Sequence, residues 1–88
     1  MLESVKIALR IVTDAFDDEI NDLILAAKAD LALCGITKLE ETDPLIRRAV
    51  ILYCRANFGV DEESEKYQRA YDMLKGSLWI AGDYIGVS

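Results

Sequence analysis

Residues 43–59, DPLIRRAVILYCRANFG, decide how this chain folds. Asp43 is a natural N-cap and Pro44 sits in the first helical position, where its missing N–H removes no hydrogen bond. Gly59 ends the segment. On a helical wheel Leu45, Ile46, Ala49, Val50, Leu52, Tyr53, Cys54 and Ala56 spread over roughly 200° of the circumference, more than one neighbouring helix covers. Ile51 and Phe58 fall on the remaining side, among Arg47, Arg48 and Arg55. The spacing predicts a central helix over 44 to about 58, contacted by the helices before and after it.

Working outward, Leu2, Val5, Leu9 and Ile11 or Val12 give a short amphipathic helix over 2–11. Thr13 or Asp14 opens a second helix to about Leu33, with Phe16, Ile20, Leu23, Ile24, Ala27 and Leu31 within about a third of the wheel. Leu25 lies on its polar side, and Gly35 is its C-cap. Residues 35–43, GITKLEETD, are a linker. Asp61 or Ser64 starts a fourth helix with an apolar face of Tyr67, Ala70, Tyr71, Leu74 and Leu78, and Gly76 blurs its end. The fold class expected is all-α: three main helices in a small bundle, a short N-terminal helix and an extended C-terminal tail. One domain spans 1–78 and a tail spans 79–88. Leu23, Ile24, Ala27, Val50, Tyr53 and Leu74 are the expected core positions.

Composition narrows the function. Eighty-eight residues with 52% apolar side chains make one small packed domain rather than a disordered acidic chain. No apolar run approaches the roughly 18 residues that span a bilayer, so no membrane partner is expected. The N-terminal stretch lacks the uninterrupted apolar core of a secretory signal, which points to a cytoplasmic origin. Cys34 and Cys54 are too few and too far apart for a disulfide framework or a metal pattern, and read as two small buried hydrophobes. The acid-rich run DAFDDEIND lacks the central glycine and the closing glutamate of a calcium loop, and its period is helical. No metal and no cofactor are expected. Without a histidine, a poised base or nucleophile would have to come from carboxylates, tyrosines, lysines or the two cysteines, and no glycine turn resembles a phosphate-cradling loop, so an enzyme is not expected.

Charge is unevenly placed. Residues 1–44 carry ten acids and four bases, whereas residues 45–88 carry six of each. Asp14, Asp17, Asp18, Glu19 and Asp22 fall within nine residues, repelling a polyanion and suiting a helix N-terminus. The exposed positions of the RRAVILYCR helix also lack base-reading side chains, so specific DNA binding is not expected.

The apolar load exceeds what three or four short helices hide. Two readings follow. In one, the N-terminal helix and the tail fold back over Ile51, Phe58 and their neighbours. In the other, these residues meet a second subunit, with Arg47, Arg48 and Arg55 against acids such as Asp18 and Asp22 of a neighbour, in a head-to-tail contact that closes into a ring. The tail residues Trp79, Ile80, Tyr84 and Ile85 have the same two fates: packing on their own subunit, or docking as a strand on a partner, with Tyr84 and Gly86 facing one way and Ile85 and Val87 the other.

The order of elements carries a resemblance. LxxVKxxLRI (Leu2, Val5, Lys6, Leu9, Arg10, Ile11) precedes the acidic helix DDEINDLILAAKADL, then TDPLIRRAVILYCRANFG, then KYQRAYDMLKGSL. This ordered set resembles the small head–tail connector proteins of tailed bacteriophages, also called portal adaptors or head-completion proteins, over residues 2 to about 84. The resemblance implies a mostly helical, non-enzymatic virion subunit at the head–tail interface, made in the host bacterial cytoplasm. It implies a homo-oligomeric ring of about twelve copies beneath the portal. Such a ring extends the DNA channel without binding DNA specifically, and presents a platform to a tail-side stopper or terminator protein. It further implies portal docking through the C-terminal end, hence through Trp79, Ile80, Tyr84 and Ile85. The competing class is a small acidic helical binding or inhibitor protein acting as monomer or dimer; the mass of the assembled species separates the two.

Overall fold

A computed structural model describes residues 1–59 and 62–85, and its four helices follow the sequence pattern closely. They are α1 (Leu2–Leu9), α2 (Asp17–Leu33), α3 (Pro44–Asn57) and α4 (Ser64–Ala81). The helix over 43–59 forms as its caps dictate. The Asp43 side chain accepts from the Leu45 N–H at 2.8 Å, satisfying one of the donors a helix start leaves open. At its far end Phe58 is already extended and Gly59 turns the chain at φ +67°.

α3 is central. It packs against α4, α2 and α1, whereas α2 and α4 flank it and touch each other only sparsely. This side-by-side layering makes the subunit oblong, 41 × 23 × 19 Å. Two clusters form the core. One joins Leu31, Ile36, Ile46, Ala49, Leu52, Tyr71 and Leu78; the other joins Val5, Ile20, Ile24, Ala27, Val50 and Cys54. Each large aliphatic side chain fully withdrawn from water contributes about 1.5–3 kcal/mol.

Several expectations shift. α2 begins at Asp17 rather than at Thr13 or Asp14. The turn before it is organised locally instead, with the Ala15 N–H donating to Thr13 Oγ1 at 3.2 Å. Asp17, Asp18 and Glu19 therefore occupy the first turn, where acids meet the positive end of the helix dipole. Leu23, Tyr53 and Leu74 border the clusters half-buried, while Ile24, Ala27 and Val50 are core as expected. Cys34 is exposed, not buried: it is the C-cap of α2, one residue beyond the last helical turn, and Leu31 fills the core position there. Cys54 is buried, and burial pushes its thiol up to about 12.

α4 continues through Gly76 to Ala81, so Trp79 and Ile80 belong to a helix and not to an extended tail. Gly76 is exposed with open space where a Cβ would be, so the position tolerates helix at the usual entropic cost of glycine. Gly82, at φ +77°, ends the helix and turns the chain back. Residues 84–85 then return to their own subunit. Thr37 and Lys38 donate to the Tyr84 carbonyl at 2.9 and 3.1 Å, and Ile85 forms an isolated antiparallel bridge with Ile36. Asp61, the alternative start of α4, and Gly86 and Val87 of the expected strand register lie outside the described residues.

Candidate assembly surface

The side of α3 that carries Ile51 and Phe58 is covered from within. Both pack against the cluster of Val5, Ile20, Ile24, Ala27, Val50 and Cys54, which Leu2, Leu9 and Ile11 of the N-terminal segment also border, and the Phe58 ring meets Phe16 edge-on at 5.6 Å between centroids. The first of the two readings holds for this surface: the N-terminal segment folds back over it. Lys6 fastens that segment. Its ammonium, almost entirely buried, pairs with Asp14 at 3.0 Å and Asp17 at 2.9 Å, and these bonds, Asp17 first, raise its pKa against the opposing effect of burial. The Asp17 oxygen that faces Lys6 is itself cut off from water, so the ion pair is its compensation.

The three arginines separate. Arg55 stays inside the subunit: it donates to the Tyr67 hydroxyl at 2.6 Å and lies 4.2 Å above that ring. Arg47 is half-buried and Arg48 exposed. Asp18 and Asp22 are exposed on α2. Of the expected interface residues, Arg48, Asp18 and Asp22 face solvent, while Ile51, Arg55 and Phe58 already have partners in their own chain.

What remains uncovered lies elsewhere. On α2, directly opposite the core residues, Leu25 is 65% and Leu33 87% exposed; on α4, again opposite the core, Met73 is 76% and Ile80 85% exposed. Both faces arise because α2 and α4 flank α3: α4 packs chiefly on α3 and α2 on α3 and α1, and the outer side of each is left without a helix over it. Large apolar side chains lined up along one exposed helix face offer a surface that a partner can cover. At the end of α4, Trp79 is half-exposed and lies across Gly35, whose φ of +89° and lack of a Cβ admit the ring; a Cβ there would come within 2.7 Å of it. Tyr84 is drawn inward instead: it packs against the first core cluster, and its hydroxyl bonds Asp43, which raises the pKa of the tyrosine.

The link between the flanking helices was not legible in the pattern. Tyr71, fully buried, donates to Asp30 Oδ2 at 2.5 Å, and Lys75 donates to the same oxygen at 3.2 Å. The Tyr71 hydroxyl first, then Lys75, hold the Asp30 carboxyl below the usual carboxylate range although burial opposes them. The only advance signal is the apolar face of α4, which placed Tyr71 inside and so required a partner for its hydroxyl.

An open groove of about 620 Å³ between α1 and the start of α4 is lined by Arg10, Arg55, Phe58, Glu62 and Glu63 among others. Its lining mixes both signs of charge, so it offers no field that would gather an anion. Among the described residues no helix is long and apolar enough to cross a membrane.

An outward-facing apolar surface on a small helical subunit needs a biological context, and comparison with known families supplies it. The family model described as phage connector protein matches residues 1–85. The chain belongs to this family of phage head–tail connectors. No curated protein and no solved structure matches the chain. A phage connector is a structural component of the virion that associates with other head and tail proteins. The faces of α2 and α4 leave apolar surface for such partners, as do Ile7 and Val12 of the N-terminal segment.

Proposed function

We propose that this connector assembles as a closed ring of about twelve copies beneath the portal, extending the DNA channel and presenting a platform to the next tail-side protein. The observation that carries this reading is the pair of apolar faces on opposite flanks of α3, Leu25 and Leu33 on one and Met73 and Ile80 on the other. Two different sticky faces on opposite sides favour a head-to-tail contact, which closes into a ring when the rotation allows, over the self-complementary contact of a dimer. The net charge of −6 suits a channel through which DNA slides without adhering. Asp18, Asp22 and Arg48 are the exposed charges of the expected interface set, and Trp79 with Ile80 are the outward-facing members of the expected portal-docking set. Native mass spectrometry of the chain, alone and mixed with its portal, tests the reading. A stoichiometric ring is expected; a monomer or dimer under both conditions refutes it.

A further inference from the structure

Which face meets which, and in what direction, is written in the order of side chains along the two flanking helices. The solvent face of α2 runs from acidic to apolar: Asp18 and Asp22, then Leu25 and Leu33. The solvent face of α4 runs from basic to apolar: Lys66 and Arg69, then Met73 and Ile80. All eight are exposed. Glu65 and Asp72 lie on one shoulder of the α4 stripe, off its centre line, as the helical period of 100° per residue places them. A shift of 47 positions carries Asp22 onto Arg69 and Leu33 onto Ile80, and brings Asp18 and Leu25 within one residue of Lys66 and Met73.

We infer that α2 of one subunit packs side by side and parallel with α4 of the next, acids against bases and apolar residues against apolar. This rests on the ring proposed above. The other pairings of these faces fail on charge. Parallel α2 on α2 stacks acids on acids, and parallel α4 on α4 stacks bases on bases. Any antiparallel pairing sets the charged end of one stripe against Leu33 or Ile80 of the other. Opposite charges attract across an interface and like charges are penalised, so the parallel α2–α4 pairing is selected.

Direction agrees as well. Within one subunit α2 and α4 already run the same way, since Asp30 faces Tyr71 and Lys75 while Gly35, further along, faces Trp79. Subunits related by rotation about an axis near the helix direction keep that sense, so the neighbour's α4 arrives parallel without rearrangement. The register between subunits differs from that within one by three to four residues, about 5 Å at 1.5 Å per residue. A small inclination of the helices to the ring axis supplies such a stagger. Ile80 then belongs to the neighbouring subunit, leaving Trp79 to the portal side.

The test is charge reversal with rescue. Asp22→Arg and Arg69→Asp should each raise the concentration needed for half-assembly by about tenfold or more at low salt, and the double variant should return it to within about threefold of wild type. Circular dichroism confirms that each variant is folded. A second measurement uses single cysteines in a Cys34→Ser background: chains carrying Asp22→Cys mixed with chains carrying Arg69→Cys should form a disulfide-linked heterodimer, and neither alone should cross-link. Single variants that assemble like wild type, or a double variant that fails to recover, overturn the pairing and leave the ring standing. Self-cross-linking of either single-cysteine chain overturns it too. A wild-type chain that stays monomeric with and without portal overturns the ring and this contact together.

Discussion

Replacing Tyr71 by phenylalanine isolates one of the two hydrogen bonds through which Asp30 ties the flanking helices together. The ring loses nothing in packing, keeping its edge-on contact with Tyr53 at 5.3 Å between centroids. Only the hydroxyl that donates to Asp30 at 2.5 Å is removed. A hydrogen bond to a charged group contributes about 1.5–3 kcal/mol. Asp30 keeps Lys75, and with 36% of its side chain exposed it regains water, so the cost falls to about 1–2 kcal/mol. For a domain of this size that lowers Tm by roughly 5–12 °C. The loss depends on pH with a definite sign. The folded state holds Asp30 below its ordinary pKa, chiefly through Tyr71. Its contribution is therefore present above the unfolded carboxylate value of about 3.9 and disappears as pH falls through the lower folded value. Urea unfolding followed by circular dichroism, at matched low protein concentration, should show the full deficit at pH 7 and a smaller one as pH falls below the ordinary carboxylate range. A deficit below about 0.3 kcal/mol at pH 7, or one that persists unchanged in acid, refutes the assignment of that stability to the Tyr71–Asp30 bond.

Leu31→Ala and Leu78→Ala, at fully buried positions, should each cost about 2–5 kcal/mol in denaturant unfolding, whereas Leu25→Ala should stay within about 0.5 kcal/mol. Gly35→Ala forces a side chain into a φ of +89° and against Trp79; a loss of about 1–3 kcal/mol with a shift in tryptophan emission is expected, and an unchanged spectrum would separate the ring from the turn. A thiol reagent should label Cys34 alone in the native protein and Cys54 only on unfolding; rapid labelling of both would contradict the burial of Cys54. Truncation after Ala81 removes the hydrogen bonds from Thr37 and Lys38 to Tyr84, so it should lower Tm by about 5 °C or more; an unchanged Tm would free the returning segment for a partner.

Local signals and periodicity were enough for the all-α class, the central helix and its N-cap. Asp43, Pro44 and Gly59 act within a few residues of themselves, and the breadth of the apolar arc on α3 already required neighbours on two sides. Exposure of Leu25 was legible for the same reason. Other features depended on which surfaces meet. Ile51 and Phe58 read as surplus apolar surface until α1 and Phe16 covered them, and Arg55 read as an interface charge until Tyr67 came within reach. Trp79 and Ile80 read as tail because glycines suggest breaks, yet α4 crosses Gly76 supported by the burial of Leu78. Helical period records which side of an element is apolar. It carries no information on whether a cover comes from the chain itself or from a neighbour, because that depends on contacts between residues tens of positions apart, and only the packed bundle decides it.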